Sequence, residues 1–362
     1  MSQRYPALPN DPAPARRQTH RNHQMDLLRI GFAACVLLSH APELSDGNAS
    51  RDLLHRLSPN ATLGSFGVDG FFLLSGYLIV KSWQISPNLL DYLRKRILRI
   101  VPGYLVAALL STLALGLLIP AVPHYFSHFG VRFPVSVLLL SSPMAPKVGP
   151  GMHYHDVNGS LWTITYEFRC YLLVALFGIC GLFKRPVLWL ILTVFLLSVS
   201  ASPPLQRLLY WHTHYLITED PAFLYHLNAA FFVGGCFYLF RSHIRFHPIL
   251  GISAALAVGV ALRFPAAFED VLDLCGGYLL FYLTSVRFKA LASMDRFPDI
   301  SYGLYVYGWP VEMLLIWYLR ASPWIIFPIA LCISACFGWV SWHYIERPML
   351  KFKRRSSAPL PG

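Results

Sequence analysis

Apolar runs of about 20 residues, the length an α-helix needs to cross the hydrocarbon core of a bilayer, recur along the chain. Two examples are "VPGYLVAALLSTLALGLLIPA" (101–121) and "PWIIFPIALCISACFGWVSWH" (323–343). Backbone N–H and C=O groups have no water to bond in that core, so a spanning segment must satisfy them internally. Runs of this length do so as helices. Only 13% of the 362 residues are charged and 55% are hydrophobic, whereas soluble domains carry about 25% charged residues. The expected fold is therefore all-α, a polytopic transmembrane helix bundle of about ten spans. They are placed near 25–42, 62–82, 101–121, 160–183, 186–201, 222–240, 247–263, 268–286, 300–319 and 323–343.

Lysine and arginine test this threading independently, because cytoplasmic loops carry an excess of both. With ten spans, 21 of the 30 Lys and Arg residues fall on the side of the termini and 7 on the other, while Arg29 and Arg169 lie within spans. Both termini are thus expected to be cytoplasmic. The same asymmetry accounts for most of the net charge of +12, so no nucleic-acid partner is inferred. Residues 1–21 read as a flexible tail rather than a cleaved signal peptide, because the Pro-rich start contains no apolar stretch. Residues 22–350 form the membrane domain and 351–362 a basic tail. The seven cysteines mostly sit inside apolar runs, which argues for packing rather than a disulfide framework or zinc site. The long outer segment 122–159 is expected to fold over the bundle.

Ionisable groups at membrane depth usually face a bundle interior or an aqueous cavity. "LLRIGFAACVLLSH" (27–40) places Arg29 and His40 eleven residues apart, about three helical turns, so both share one face roughly 16 Å apart along the axis. Snorkelling of Arg29 to inner headgroups, with His40 at the outer interface, explains the pair equally well. In "RKRILRIVP" (94–102) Arg96 and Arg99 share a helix face, suited either to clamping an anionic phosphate or to anchoring on acidic lipid. "NGSLWTITYEFRCYL" (158–172) puts Glu167 and Arg169 within a span, as an interhelical ion pair or, for Glu167, as a proton-exchange partner of a histidine. "GVDGFFLLSGYLI" (67–79) carries Asp69 and the Ser75–Gly76 pair, where small residues allow close helix packing or close approach of a ligand. The pairs His153/His155 and His212/His214 lack the company of metal ligands, so no metal is expected.

Taken in order, these stretches resemble the acyltransferase 3 family of integral membrane acyltransferases. The resemblance spans about residues 22–350 and also rests on "ISYGLYVYGWPVE" (300–312) and "HYIERPML" (343–350). One departure is Gly308, where many members have a histidine ahead of Trp-Pro.

The resemblance implies transfer of an acyl group, usually acetyl from acetyl-CoA as co-substrate, to a hydroxyl of an extracytoplasmic or lipid-linked saccharide. Lipopolysaccharide and exopolysaccharide are typical acceptors, and the bacterial cytoplasmic (inner) membrane is the implied location. It further implies His40 as the catalytic imidazole, with Arg29 holding the cofactor or steadying charge on the thioester oxygen. Arg96 and Arg99 then contact the CoA phosphates with Ser75 on the cofactor side, and Glu167 orients His40 or binds acceptor hydroxyls. Tyr302, Tyr305 and Glu346 match motif positions that packing explains as well. The rival reading is a proton-coupled transporter or flippase of a lipid-linked sugar.

Overall fold

A computed structural model describes residues 23–59, 61–119, 123–213, 220–286 and 298–352. The tail expected at 1–21 lies outside these residues, as do His214, Arg287, Lys289, Arg296 and most of the C-terminal tail; of His212 only the backbone is described. The described chain is all-helical, without a β-strand. In order come α1 (His23–Asp46), α2 (Leu63–Ile85), α3 (Leu89–Leu118), α4 (Arg132–Leu138) and α5 (Trp162–Ile179). These are followed by α6 (Pro186–Ser200), α7 (Pro203–Thr213), α8 (Pro221–Leu239), α9 (Pro248–Ala261), α10 (Pro265–Val271) and α11 (Gly277–Ser285). Last are α12 (Ser301–Leu319), α13 (Pro323–Ser341) and α14 (Arg347–Lys351).

The helix starts follow local chemistry. Thr62 Oγ1 accepts from the Ser65 amide while Ser65 Oγ accepts from the Thr62 amide, closing a capping box on α2. Asn88 accepts from the Asp91 amide at the start of α3, so this helix begins twelve residues before the span expected at 101. Arg94 to Arg99 consequently sit on a helix, and Pro102 lies inside it. Prolines open α6, α8, α9, α10 and α13, where the missing N–H would have had no partner.

A helical segment occupies each of the ten expected places. Five are long and apolar enough to cross a membrane: Gln24–Asp46, Leu63–Ile85, Leu89–Leu118, Ala222–Leu239 and Pro323–Lys351. Counting α6 and α7, bent by 105° about their break, as one span makes a sixth. The segment expected at 268–286 is built from α10, a wider π turn (Leu272–Gly276) and α11.

Glycines set the closest approaches in the core. A β-carbon on Gly76 in α2 would lie 1.9 Å from the Phe231 carbonyl of α8, and one on Gly234 would lie 2.0 Å from the Leu73 carbonyl. The Ser75–Gly76 pair therefore serves packing through Gly76. Helix α1 runs antiparallel to α2, with Ser39 near Gly64 and Phe32 against Gly67 and Gly70. It runs parallel to α12, with Arg29 at Asp299, Leu37 at Gly308 and His40 at Glu312. The segment 123–159 folds back onto the bundle. Leu140 and Ser141, just past α4, accept hydrogen bonds from Thr165 in α5 and Tyr104 in α3 through their carbonyls.

Candidate active site

Five of the six residues given a catalytic or cofactor role by the resemblance line one cavity. Arg29, Ser75, Arg96, Arg99 and Glu167 converge there from α1, α2, α3 and α5, with Phe71, Tyr171 and Tyr302 completing the wall. A neighbouring cavity shares Arg29, Phe71, Glu167 and Tyr302 and adds Thr163 and Tyr305.

The three guanidiniums differ in their electrostatic surroundings. Asp299, immediately before α12, bridges two of them: Oδ2 accepts from Arg29 Nη1 at 3.0 Å and from Arg99 Nη2 at 2.7 Å. Arg99 Nη1 also donates to Glu346 Oε2 at 3.1 Å, so two carboxylates neutralise Arg99. Arg96 makes no ion pair among the described residues. Its Nη2 donates to Ser82 Oγ at 3.0 Å, and its guanidinium lies over the rings of Tyr92 and Tyr171, 5.7 and 5.8 Å from their centroids. Its buried Nε has no partner. The Arg96/Arg99 pair is thus unequal: Arg96 has a charge to offer an incoming anion, while Arg99 is tied into the scaffold.

Glu167 is held by hydroxyls. Ser75 Oγ donates to its Oε1 at 2.8 Å and the Tyr171 hydroxyl at 2.5 Å. This corrects one expectation, because Glu167 does not orient His40. The carboxylate beside His40 is Glu312, whose Oε2 stands 3.8 Å from His40 Nδ1. Glu312 is fully buried, and neither of its oxygens has a hydrogen-bond partner. The Trp309 ring meets the His40 imidazole edge to face at 5.0 Å, and its Nε1 donates to the Asp156 carbonyl at 3.0 Å.

The segment 123–159 thereby caps the His40 site. Tyr154 packs on Trp309 at 5.6 Å and donates to Glu43 Oε1 at 2.5 Å. Burial, reinforced by the Glu43 carboxylate, pushes the Tyr154 hydroxyl up to about 12, so it remains a donor at neutral pH.

His40 does not line the arginine cavity. Arg29 and His40 leave the same face of α1 about three turns apart, as their spacing requires, and both meet α12. Along α12 the residues Tyr302, Tyr305, Trp309 and Glu312 recur every three or four positions, which aligns them on one face, and Asp299 stands just ahead of it. This face runs from the Arg29 ion pair, past the second cavity, to His40. The Thr163 and Tyr305 hydroxyls meet at 2.7 Å along the way. Asp299 and Glu312 escaped the sequence reading, although their register with Tyr302 and Tyr305 was visible in "DISYGLYVYGWPVE".

Gly308 lies in the same seam. A β-carbon there would stand 2.5 Å from Leu37 Cδ1, so glycine lets α1 and α12 close. His153 packs against Gly47, and His155 Nδ1 bonds the Val148 carbonyl at 2.9 Å. These two rings belong to no cluster of metal-ligating side chains among the described residues.

Residues 22–343 match the family described as "Acyltransferase domain". An "O-acetyl transferase" of Shigella phage Sf6 is 28% identical, over 94% of this chain and 99% of that protein. "Nodulation protein 10" of Rhizobium leguminosarum bv. viciae is also 28% identical, over 92% of this chain and 94% of its own length. No solved structure matches the chain.

Proposed function

We propose that this chain, which belongs to the acyltransferase 3 family, moves an acetyl group from cytoplasmic acetyl-CoA to a hydroxyl of an extracytoplasmic or lipid-linked saccharide. Family membership and the O-acetyltransferase relative support an acyl-transfer enzyme in the membrane. The donor, the acceptor and the residue roles are our reading. One observation carries it: Arg29 and His40 stand at the two ends of the seam between α1 and α12, with the basic cavity at one end and a buried imidazole at the other.

The reading assigns each group a task. Arg96 receives a CoA phosphate, because it is the cavity guanidinium that no carboxylate neutralises, and phosphate–guanidinium bonds are strong. Arg99, held by Asp299 and Glu346, shapes the cavity and adds field. Arg29 lies between the cofactor cavity and the seam, where it holds the donor as its acyl arm enters. Ser75 and Glu167 supply polar contacts to the pantetheine arm or acceptor hydroxyls.

At the outer end His40 takes the proton of the acceptor hydroxyl as that oxygen attacks the thioester carbonyl. The C–S bond then breaks, and the proton passes from the imidazolium to the departing sulfur, giving an ester and free CoA. Glu312 orients the ring and steadies its cationic form. The ten-span thread with cytoplasmic termini belongs to the same proposal. It requires the first and ninth spans to run in the same direction, and α1 and α12 do so.

Direct transfer is favoured over an acyl-enzyme relay, because among the described residues no hydrogen bond joins His40 to a cysteine or serine that it could activate. Single-turnover incubation with radiolabelled acetyl-CoA and no acceptor tests this. Direct transfer leaves the protein unlabelled, and stable label on the chain overturns it. A transporter would neither bind nor consume acetyl-CoA, so saturable binding of that donor separates the two classes.

A further inference from the structure

Three side chains from three separate elements meet away from both the arginine cavity and His40. Asp69 comes from α2, His226 from α8 and Asp273 from the π turn between α10 and α11. One ligand atom from each lies within 4.8 Å of the others. His226 Nε2 and Asp69 Oδ1 are already 2.8 Å apart. Asp273 is fully buried and Asp69 nearly so, at 0% and 1% exposure, and His226 is 6% exposed. Both oxygens of Asp273, Oδ2 of Asp69 and Nδ1 of His226 have no hydrogen-bond partner.

The charge there does not balance. Glu269 Oε2 stands 3.6 Å from His226 Nδ1, and the neighbouring Asp270 has a buried oxygen without a partner. Four acids thus gather around one imidazole. Among the described residues His226 is the only cationic side chain paired with any of them. Isolated carboxylates in a dry site carry a desolvation penalty of several kcal/mol each unless something compensates them. A bound cation compensates several at once. The π turn that presents Asp273 is a rare backbone form that recurs at functional sites.

We propose that Asp69, His226 and Asp273 form a binding site for one divalent transition-metal ion, with Glu269, beside the opposite ring nitrogen, as the carboxylate that orients the imidazole. The donor chemistry selects the ion. A set of two carboxylates with one imidazole suits Mn²⁺ or Zn²⁺, whereas Mg²⁺ and Ca²⁺ favour oxygen-only sets. Ligand bonds of about 2.1 Å place donors roughly 3.4 Å apart around a tetrahedral ion, so the site closes by small side-chain rotations. Glu269, with 44% of its side chain exposed, gives the entry path. Binding displaces the proton between His226 and Asp69, so affinity falls as the medium is acidified. The ion would fasten α2, which also carries Ser75, to α8 and to the α10–α11 unit.

The test uses the full chain in detergent, purified without a histidine tag, stripped with EDTA and equilibrated with Mn²⁺ or Zn²⁺. Elemental analysis is expected to find about one ion per chain, bound in preference to excess Mg²⁺. Pulsed EPR of the Mn²⁺ form is expected to show coupling to an imidazole nitrogen. Asp273→Asn and His226→Gln should each abolish stoichiometric binding, and His226→Gln should remove the nitrogen coupling. The native chain provides the decisive readout should either variant fail to fold. No tight ion in the native chain means that the cluster shares protons instead, and this overturns the proposal. So does an Mn²⁺ signal without nitrogen coupling, or full occupancy in folded Asp273→Asn protein.

Discussion

His40 and Glu312 face one another across the α1–α12 seam, with Nδ1 and Oε2 3.8 Å apart and no hydrogen-bond partner on either carboxylate oxygen. A buried carboxylate beside a buried imidazole fixes the ring and stabilises its cation as it accepts a proton. Eleven residues back along α1, Arg29 makes the corresponding contact with Asp299.

Glu312→Gln keeps the shape of the site and removes the charge. We expect kcat to fall at least about tenfold, short of the ~10²–10⁴-fold that a general base supplies, with KM for acetyl-CoA little changed. Steady-state kinetics on the folded variant checks this, and an unchanged kcat would remove Glu312 from the mechanism.

Arg96 and Arg99 should separate by phenotype. Arg96→Ala is expected to raise KM for acetyl-CoA about tenfold, the equivalent of one charge-assisted bond of roughly 1.4 kcal/mol, while the thermal midpoint stays near that of the native chain. Arg96→Lys should recover only part of the affinity, because a point charge lacks the guanidinium fork. Binding titrations alongside thermal unfolding give both numbers.

Arg99→Ala should act first on stability. It leaves Asp299 and Glu346 buried with less compensation, and breaking one partner of such a pair costs about 3–5 kcal/mol. The expected result is a clear fall in thermal midpoint and yield, which thermal unfolding in detergent would register. A variant as stable as the native chain with a raised KM would show instead that Arg99 serves the cofactor directly.

Gly76→Ala and Gly234→Ala each drive a methyl group into backbone of the facing helix. Side-chain overpacking costs about 1–3 kcal/mol, and a backbone neighbour relaxes less. Both should lower the thermal midpoint, whereas Gly259→Ala in α9, where the new methyl meets nothing within 4 Å, should not.

Much of the fold was legible because the membrane constrains it so tightly. A helical segment occupies each of the ten expected places, and five or six spans among the described residues are long and apolar enough to cross, since apolar length and proline and cap positions are local signals. The start of α3 was misplaced because Asn88 caps the helix well before the apolar run begins. Arg29 and Glu167 stood out as ionisable groups within apolar runs, Arg96 and Arg99 as a pair on one helix face, and Ser75 through the motif resemblance; all five line one cavity. The pairing of His40 was not legible. Glu312 lies 272 positions away in the chain, and only the parallel packing of α1 on α12 shows that it, and not Glu167, is the neighbour. Asp299 was passed over because it precedes its helix, and its bridge between two arginines exists only in three dimensions. His226 and Asp273 are likewise unremarkable singly, and their significance lies in converging on Asp69.

The measurement that bears most directly on the account compares surface-glycan acetylation in cells lacking this protein with cells given back the native chain or His40→Ala. Mass spectrometry or NMR of the glycan reads the outcome, and immunodetection confirms equal amounts of membrane-inserted protein. We expect the native chain to restore the acetyl groups and His40→Ala to leave them absent, a loss of about 10²–10⁴-fold in rate. Full acetylation by well-folded His40→Ala protein would contradict the account.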